Sequence, residues 1–234
     1  LLTPACQTDP WEGCRVNVLG GVALFEQIRE SAASIQGFSY ASSVAVFGDP
    51  LDHPEGAVDS GNGPVTFYGV FKKSLELIAE QYWRQFRIAS LGIRPQVVFG
   101  PERTEGLTAG PSLAARAAAL GETFNISYTG QVGYDYVEDV ACAFVRGALE
   151  PRPGAQVVDL NGETSDIAQV IAAIDAAVPG ARRKLSASGP PIPRHTPPKS
   201  HFIAALYPDW KATSLNEGIL RTVEFYKNFT VPAI

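Results

Sequence analysis

Tyr68 and Lys72 stand four residues apart, so on a helix their side chains leave the same face one turn apart. A cationic amine beside a phenol favours the phenolate and draws its ionisation toward a range useful for acid/base work. Alone, the pair fits equally well a surface lysine lying beside an interfacial tyrosine. Its neighbours add to it. An apolar strand upstream ends in Ser42-Ser43, which puts hydroxyls at a carboxyl end, where open α/β sheets bind ligands. A later strand ends in Gly92-Ile93-Arg94-Pro95, a helix-incompatible turn at the same edge. Asn17 falls inside a helical stretch, a mediocre helix former whose amide can reach inward.

The elements that must position these groups follow from periodicity and punctuation. Residues 1–6 read as the tail of a strand or a loop. Asp9 and Pro10 open a helix, with Glu12 completing a capping box. Trp11, Val18, Leu19, Val22, Phe25 and Ile28 lie on or near one of its faces. Residues 37–46 alternate loosely as a mostly buried strand ending at Phe47-Gly48, and residues 49–64 form a loop rich in Gly, Pro and Asp. The next helix carries Phe67, Phe71, Leu75, Ile78, Tyr82 and Phe86 at helical spacing. A strand with Ile88, Leu91 and Ile93 comes next. Beyond Pro95 the rhythm predicts a glycine-rich loop over 99–110, helices over 112–120 and 137–149, and a strand over 156–160. A helix capped by Thr164 runs to about Val178, a proline-rich loop covers 189–198, and a last helix starts at Ser214 with Glu217 and runs to about Lys227. Apolar strands alternating with helices are the grammar of an α/β parallel sheet.

Composition narrows the function classes. The chain has 234 residues, 45% hydrophobic and 18% charged, with a net charge of −5. That balance, with no basic block, argues against nucleic acid as a partner. No apolar run is long enough to span a membrane, because Arg116 and Asp175 interrupt the alanine-rich stretches. Cys6, Cys14 and Cys142 cannot all pair and lack metal-ligand spacing, which suits reduced thiols in the cytoplasm. His53, His195 and His201 are scattered on expected loops, so no metal is expected. The sequence holds no methionine, so it is expected to be processed or a piece of a longer protein.

Taken together, these motifs resemble the extended short-chain dehydrogenase/reductases, the NAD-dependent epimerase/dehydratase family. Asn17-Val18-Leu19-Gly20 is similar to that family's N-x-x-G helix, and Ser42-Ser43-Val44-Ala45-Val46-Phe47-Gly48 to its serine strand. Tyr68-x-x-x-Lys72 follows at the usual interval. Arg94-Pro95 through Phe99-Gly100-Pro101 resembles the R-P-x-x-V-Y-G-P segment, and Asp139-Val140-Ala141 the V-x-D-V-A helix start. The resemblance implies Ser43, Tyr68 and Lys72 as the catalytic residues: Tyr68 as general acid/base, Lys72 on the nicotinamide ribose and Ser43 bonding the reacting oxygen. It implies Asn17, Ser42, Tyr68, Lys72, Pro95 and Gln96 around a bound NAD or NADP, which carries the hydride chemistry.

The resemblance also implies a fold: the C-terminal part of a doubly wound, Rossmann-like parallel sheet plus a smaller α/β substrate lobe. Residues 1–95 and 131–162 would form the remaining NAD(P)-binding part, and 96–130 and 163–234 the substrate lobe. The glycine fingerprint that receives the pyrophosphate is absent from the sequence. An amino-terminal segment of roughly seventy residues is therefore expected to be missing, as three βα units would need. Ser43-Val44-Ala45 stands where the family's dehydratases carry Thr-Asp-Glu, which argues against 4,6-dehydration. No arginine precedes Asp139 at the diphosphate position, though Arg103, Arg182, Arg183 or Arg194 could substitute. The expected function is NAD(P)-dependent epimerisation or oxidoreduction of a sugar, nucleotide sugar or sugar acid, in a homodimer. The alternatives are a dehydrogenase of a non-nucleotide small molecule and a non-catalytic NAD(P)-binding regulator.

Overall fold

The computed structural model describes residues 1–31, 35–48, 63–160, 162–192 and 201–228. Helices α1 (Thr3–Thr8), α2 (Pro10–Cys14) and α3 (Gly20–Glu30) come first, with a π-helical turn over Arg15–Leu19 between the last two. Strand β1 (Phe38–Ala41), a 3₁₀ turn (Val44–Val46), helix α4 (Phe67–Phe86) and strands β2 (Ser90–Arg94) and β3 (Val97–Phe99) follow. Next come α5 (Gly110–Leu120), β4 (Phe124–Ile126), β5 (Gln131–Tyr136), α6 (Val137–Leu149), β6 (Ala155–Asp159), β7 (Glu163–Asp166) and α7 (Ile167–Ala177). The described chain closes with β8 (Leu185–Ala187), α8 (Ile203–Leu206) and α9 (Leu215–Asn228). This is the α/β architecture expected from the alternation of elements.

Two compact units divide the chain: Leu1–Pro95, Ala141–Leu160 and His195–Asp209 in the first, Gln96–Val140, Asn161–Arg194 and Trp210–Ile234 in the second. Residues 131–140 thus go with the second unit, because β5 pairs with β3 on one side and β7 on the other.

The first unit holds a parallel sheet in the order β1-β2-β6. All five residues of β2 are buried, as suits a central strand covered on both faces. Thr66 caps α4 by accepting from the Gly69 N–H at 3.1 Å, and Arg87 ends it in the left-handed region at φ 58°. Phe71, Leu75 and Ala79 form its buried stripe. Phe25 packs edge-on against Phe38 at 4.6 Å and stacks on Tyr82 at 4.7 Å, the kind of aromatic contact that adds about 0.5–1.5 kcal/mol beyond area burial.

The second unit has a mixed sheet, β3-β5-β7, and a parallel pair, β4-β8. Helices α5, α7 and α9 bury Ala114, Ala118, Val170, Ile174, Ile219 and Val223 in one cluster with Phe99, Tyr134 and Tyr136. Asp166 caps α7 with a complete capping box to Gln169.

Several expectations change. Residues 3–8 are helical rather than a strand tail. Asp9 does cap at Glu12, but the Glu12 carboxylate turns to Arg15 instead of closing the box. Trp11 and Leu19 are 78% and 56% exposed, while Phe25 and Ile28 are buried. The π turn over Arg15–Leu19 inserts an extra residue and rotates the face of Trp11 relative to that of Phe25 and Ile28. The strand expected over 37–46 stops at Ala41, because Ser43 bends the chain into a 3₁₀ turn and caps it. Short strands β3, β4, β7 and β8 carry no alternation long enough to read, whereas β5 alternates over Val132, Tyr134 and Tyr136 and lies outside the expected elements. Strand β7 moves the α7 cap from Thr164 to Asp166. Most of the loop expected over 49–64 lies outside the described residues, as do His53, Arg194 and His195.

Candidate active site

Helix α4 delivers Tyr68, Lys72 and Glu76 at successive four-residue intervals, and each has a distinct setting in the first unit. The Lys72 ammonium lies 5.5 Å from the Tyr68 ring centroid and donates to the Ala41 carbonyl at 2.9 Å. Burial pushes the Lys72 pKa down, with nearby Cys6 opposing that shift. At the start of the helix a Cβ on Gly69 would overlap the Ala45 carbonyl oxygen and crowd Pro64. The backbone therefore makes a close approach that only glycine allows. That 3₁₀ turn is capped by Ser43, whose Oγ accepts from the Ala45 N–H at 3.2 Å. The Tyr68 end of α4 thus presses on the turn that Ser43 begins, and Lys72 holds the end of β1 just before it.

One turn further along, Glu76 is the hub of a buried polar cluster. Arg94 at the end of β2 binds it through two hydrogen bonds, Nε–Oε1 at 2.6 Å and Nη2–Oε2 at 2.7 Å. The Ser42 hydroxyl donates to Glu76 Oε1 at 2.5 Å, and Lys73 Nζ lies 3.3 Å from Oε2. Arg94 also stands 3.7 Å from Asp159 on β6 and stacks over Phe47 at 4.7 Å. Burial pushes the Glu76 carboxyl up, but the Arg94 bonds and charge, with Ser42 and Lys73, hold it below the usual carboxylate range. Asp159 goes the other way: burial raises it to about 6, Arg94 offsetting only part. Burial with the nearby Glu76 charge also pushes the Tyr40 phenol up, and its hydroxyl has no hydrogen-bond partner among the described residues.

Four residues expected around a cofactor have inward commitments. The Ser42 hydroxyl is buried and given to Glu76. The Asn17 amide is also buried and donates to the Gly13 carbonyl at 3.1 Å and toward Cys6 Sγ at 3.4 Å, holding the π turn to the preceding helices. The Gln96 N–H donates to Asp135 at 2.7 Å, and its side-chain oxygen accepts from the Gly133 N–H at 3.0 Å. The Pro95 carbonyl accepts from the Val44 N–H at 3.3 Å. In each case a strand end or helix turn needed an internal partner, and the nearest polar side chain or carbonyl supplied it.

Sequence reasoning missed Glu76 and the roles of Asp135 and Asp139. Glu76 had a signal: a carboxylate at the next four-residue step after Lys72, with an arginine closing the adjacent strand. Asp135 and Asp139 are ties between distant segments. Asp135 is buried on β5 and accepts from the Gln96 and Gly162 N–H groups. Asp139 accepts from the Thr213 N–H and hydroxyl at 2.7 and 2.9 Å. Of the arginines expected as diphosphate substitutes, Arg103 donates to the Val98 carbonyl and Thr108, while Arg182 and Arg183 are exposed. Among the described residues no cluster of three metal-ligating side chains occurs, and no helix is long and apolar enough to cross a membrane.

Comparison with known proteins places the chain in a family and a fold. Residues 2–161 match the model of the NAD dependent epimerase/dehydratase family. A UDP-glucose 4-epimerase of Mycolicibacterium smegmatis is 29% identical over 235 residues, 94% of this chain and 71% of its own length. An uncharacterized 37.6 kDa protein of Escherichia coli O111:H- is 29% identical over 136 residues, and the match spans only 38% of that protein. Among solved structures, a UDP-glucose 4-epimerase from Thermotoga maritima with UDP-glucose superposes with a TM-score of 0.79 at 20% identity, covering 97% of this chain and 74% of its own. A Thermus thermophilus UDP-glucose 4-epimerase complex with NAD gives 0.77 at 20% identity, covering 98% and 75%. At such identities these two structures establish a shared fold.

Proposed function

This chain belongs to the NAD dependent epimerase/dehydratase family, and on that premise we propose that it performs NAD(P)-dependent epimerisation or oxidoreduction at a hydroxyl or keto carbon of a sugar, nucleotide sugar or sugar acid. One observation carries the reading. The Lys72 ammonium lies beside the Tyr68 ring while bonding the Ala41 carbonyl, two residues before Ser43. An acid/base phenol, a cation to favour its ionised form and a hydroxyl donor are thereby drawn from two stretches of one unit.

NAD or NADP, when bound, supplies the acceptor and donor of hydride. The donor set suits it: an ammonium with three N–H groups, one engaged by Ala41, and a phenol beside it match the hydroxyls of a ribose. Tyr68 would take the proton from the substrate hydroxyl and return it to the carbonyl oxygen. Lys72 would favour the phenolate and hold the ribose. Ser43 would donate to the reacting oxygen as its charge develops. An epimerase would return hydride to the opposite face, and a dehydrogenase would release the oxidised product. The sugar-nucleotide class is supported by the Mycolicibacterium smegmatis relative.

The reading extends to a homodimer through α3 and α4. Leu24, Val70, Leu77 and Phe86 are each more than 40% exposed on these two helices, and exposed apolar surface of this kind favours association. A cytoplasmic setting suits the free thiols of Cys6, Cys14 and Cys142.

The test is Tyr68→Phe in the intact protein, assayed for conversion of UDP-galactose to UDP-glucose with NAD. Turnover should fall roughly 10²–10⁴-fold, the usual loss of an acid/base group, with NAD binding retained. A fully active variant would remove Tyr68 from the mechanism. Reduced cofactor that accumulates in solution during turnover would mark a dehydrogenase; its absence with product formed would mark an epimerase.

A further inference from the structure

Glu76 is a buried carboxylate that the proposed chemistry leaves without a task, although it sits one turn from Lys72 on the same helix. Its side chain is 4% exposed and that of Arg94 9%. Stability alone explains such a pair poorly. Taking two charges out of water costs several kcal/mol per ion, and replacing a buried pair with apolar residues is often neutral or favourable. What hydrogen-bonded ions give that apolar contacts do not is direction: a bidentate arginine–carboxylate pair fixes both separation and orientation.

The bonds made by α4 show what is being oriented. Lys72 bonds the carbonyl of Ala41, and Glu76, about 6 Å further along the axis, accepts from the hydroxyl of Ser42. Two successive turns of one helix face therefore hold two successive residues of the chain leading into Ser43. A single attachment would let the helix pivot about it; a second fixes rotation as well as distance. Arg94 anchors the same carboxylate to the carboxyl end of β2, the strand that pairs with β1 residue by residue.

We infer that Glu76 is a positioning residue: its carboxylate, clamped by Arg94 and Ser42, sets the register between the helix bearing Tyr68 and Lys72 and the chain bearing Ser43. This rests on the roles given above to Ser43, Tyr68 and Lys72. Losing the clamp leaves every reacting group in place chemically but loosens their mutual geometry, and misplacement by about 1 Å can cost 10²-fold in rate.

The experiment compares Glu76→Gln, Ser42→Ala and Tyr68→Phe with the wild type, all as intact protein. Ser42→Ala breaks one hydrogen bond and leaves the ion pair whole, so it decides the matter if Glu76→Gln fails to fold. Two quantities are read: kcat and KM for UDP-galactose with NAD, and the pH at which Tyr68 ionises, taken as the tyrosinate absorbance that Tyr68→Phe lacks. In Glu76→Gln, kcat should fall roughly 10²-fold with KM nearly unchanged. The Tyr68 ionisation should move up by about one pH unit as Lys72 drifts from the ring. Ser42→Ala should shift both quantities in the same direction by a smaller amount. A folded Glu76→Gln or Ser42→Ala with unchanged kcat and an unchanged Tyr68 titration overturns the inference, and so does a kcat that falls only in step with the folded fraction. If UDP-galactose is not turned over, the titration alone decides. An unimpaired Tyr68→Phe would instead overturn the acid/base reading, whatever Glu76 does.

Discussion

Asp159 and Glu76 compete for a single guanidinium, and the loser should be visible in the pH dependence of stability. Glu76 takes Arg94 in two short bonds, leaving Asp159 at 3.7 Å and 0% exposed. Its pKa rises from 3.8 to about 6, first through burial. The folded state therefore holds a proton that the unfolded state has released, across the window from 3.8 to about 6. Because the folded state binds more protons there, stability falls as pH rises through that window. Two pKa units at ~1.4 kcal/mol each set the full loss on the order of 3 kcal/mol above about pH 7. An asparagine side chain at this position would have the shape of the neutral acid and nothing to titrate. Asp159→Asn should match the wild type near pH 3.5 and exceed it progressively, by on the order of 3 kcal/mol at pH 8. Glu76, lowered from 4.5, contributes in the opposite sense: its stabilisation is present above that value and lost as pH falls. It is common to both proteins, so it largely cancels in the difference. Urea unfolding of both proteins at a series of pH values measures it. A difference that stays flat with pH, or a variant less stable at pH 8 than the wild type, would mean that Arg94 fully compensates Asp159, and the reasoning would fail.

Two further perturbations test the packing that holds the site. Gly69→Ala should destabilise by about 1–3 kcal/mol through overpacking against the Ala45 carbonyl, although alanine improves helix propensity by about 1 kcal/mol; a more stable variant in thermal unfolding would refute the close approach. Asp135→Ala strands the Gln96 and Gly162 N–H groups and should cost up to about 2–6 kcal/mol, at ~1–3 for each donor left unpaired, with partial burial favouring the lower end; a loss under ~1 kcal/mol in urea unfolding would show that both donors find other partners.

Long, strongly periodic elements were legible in the sequence, and short ones were not. Helix α4 lies where its apolar spacing puts it, and β2, α6, β6 and α9 fall within a residue or two of expectation. Their signals are local: a polar cap, an apolar stripe or run, a breaker. Strands β3, β4 and β8 have three residues each, too few for alternation to stand out, and they exist because a partner strand supplies their hydrogen bonds. The π turn over Arg15–Leu19 leaves no compositional mark either. It turns Trp11, about four helical turns upstream, away from the face of Phe25, whereas Leu19, six residues before Phe25, lies about 120° round the helix from it by simple counting.

The candidate site divides along the same physical line. Types and spacing pointed to the Tyr68–Lys72 pair and to the Ser42-Ser43 hydroxyls, whose chemical properties can be read one residue at a time, and the family resemblance singled out Ser43. They could not say where the hydroxyl of Ser42, the amide of Asn17 or the side chain of Gln96 would point. A neutral polar group goes to whichever buried donor or acceptor would otherwise be unsatisfied, and that is decided by packing between distant segments. Each of these three answers an internal demand: Glu76 for Ser42, the Gly13 carbonyl for Asn17, the Gly133 N–H for Gln96. Lys72 differs because an ammonium has more donors than Ala41 can use. A residue with surplus hydrogen-bonding capacity can serve the fold and a ligand together, whereas one whose capacity is fully engaged serves the fold alone. By that criterion Lys72 is the stronger candidate to meet a cofactor, whereas the hydroxyl donor of buried Ser42 is committed to Glu76.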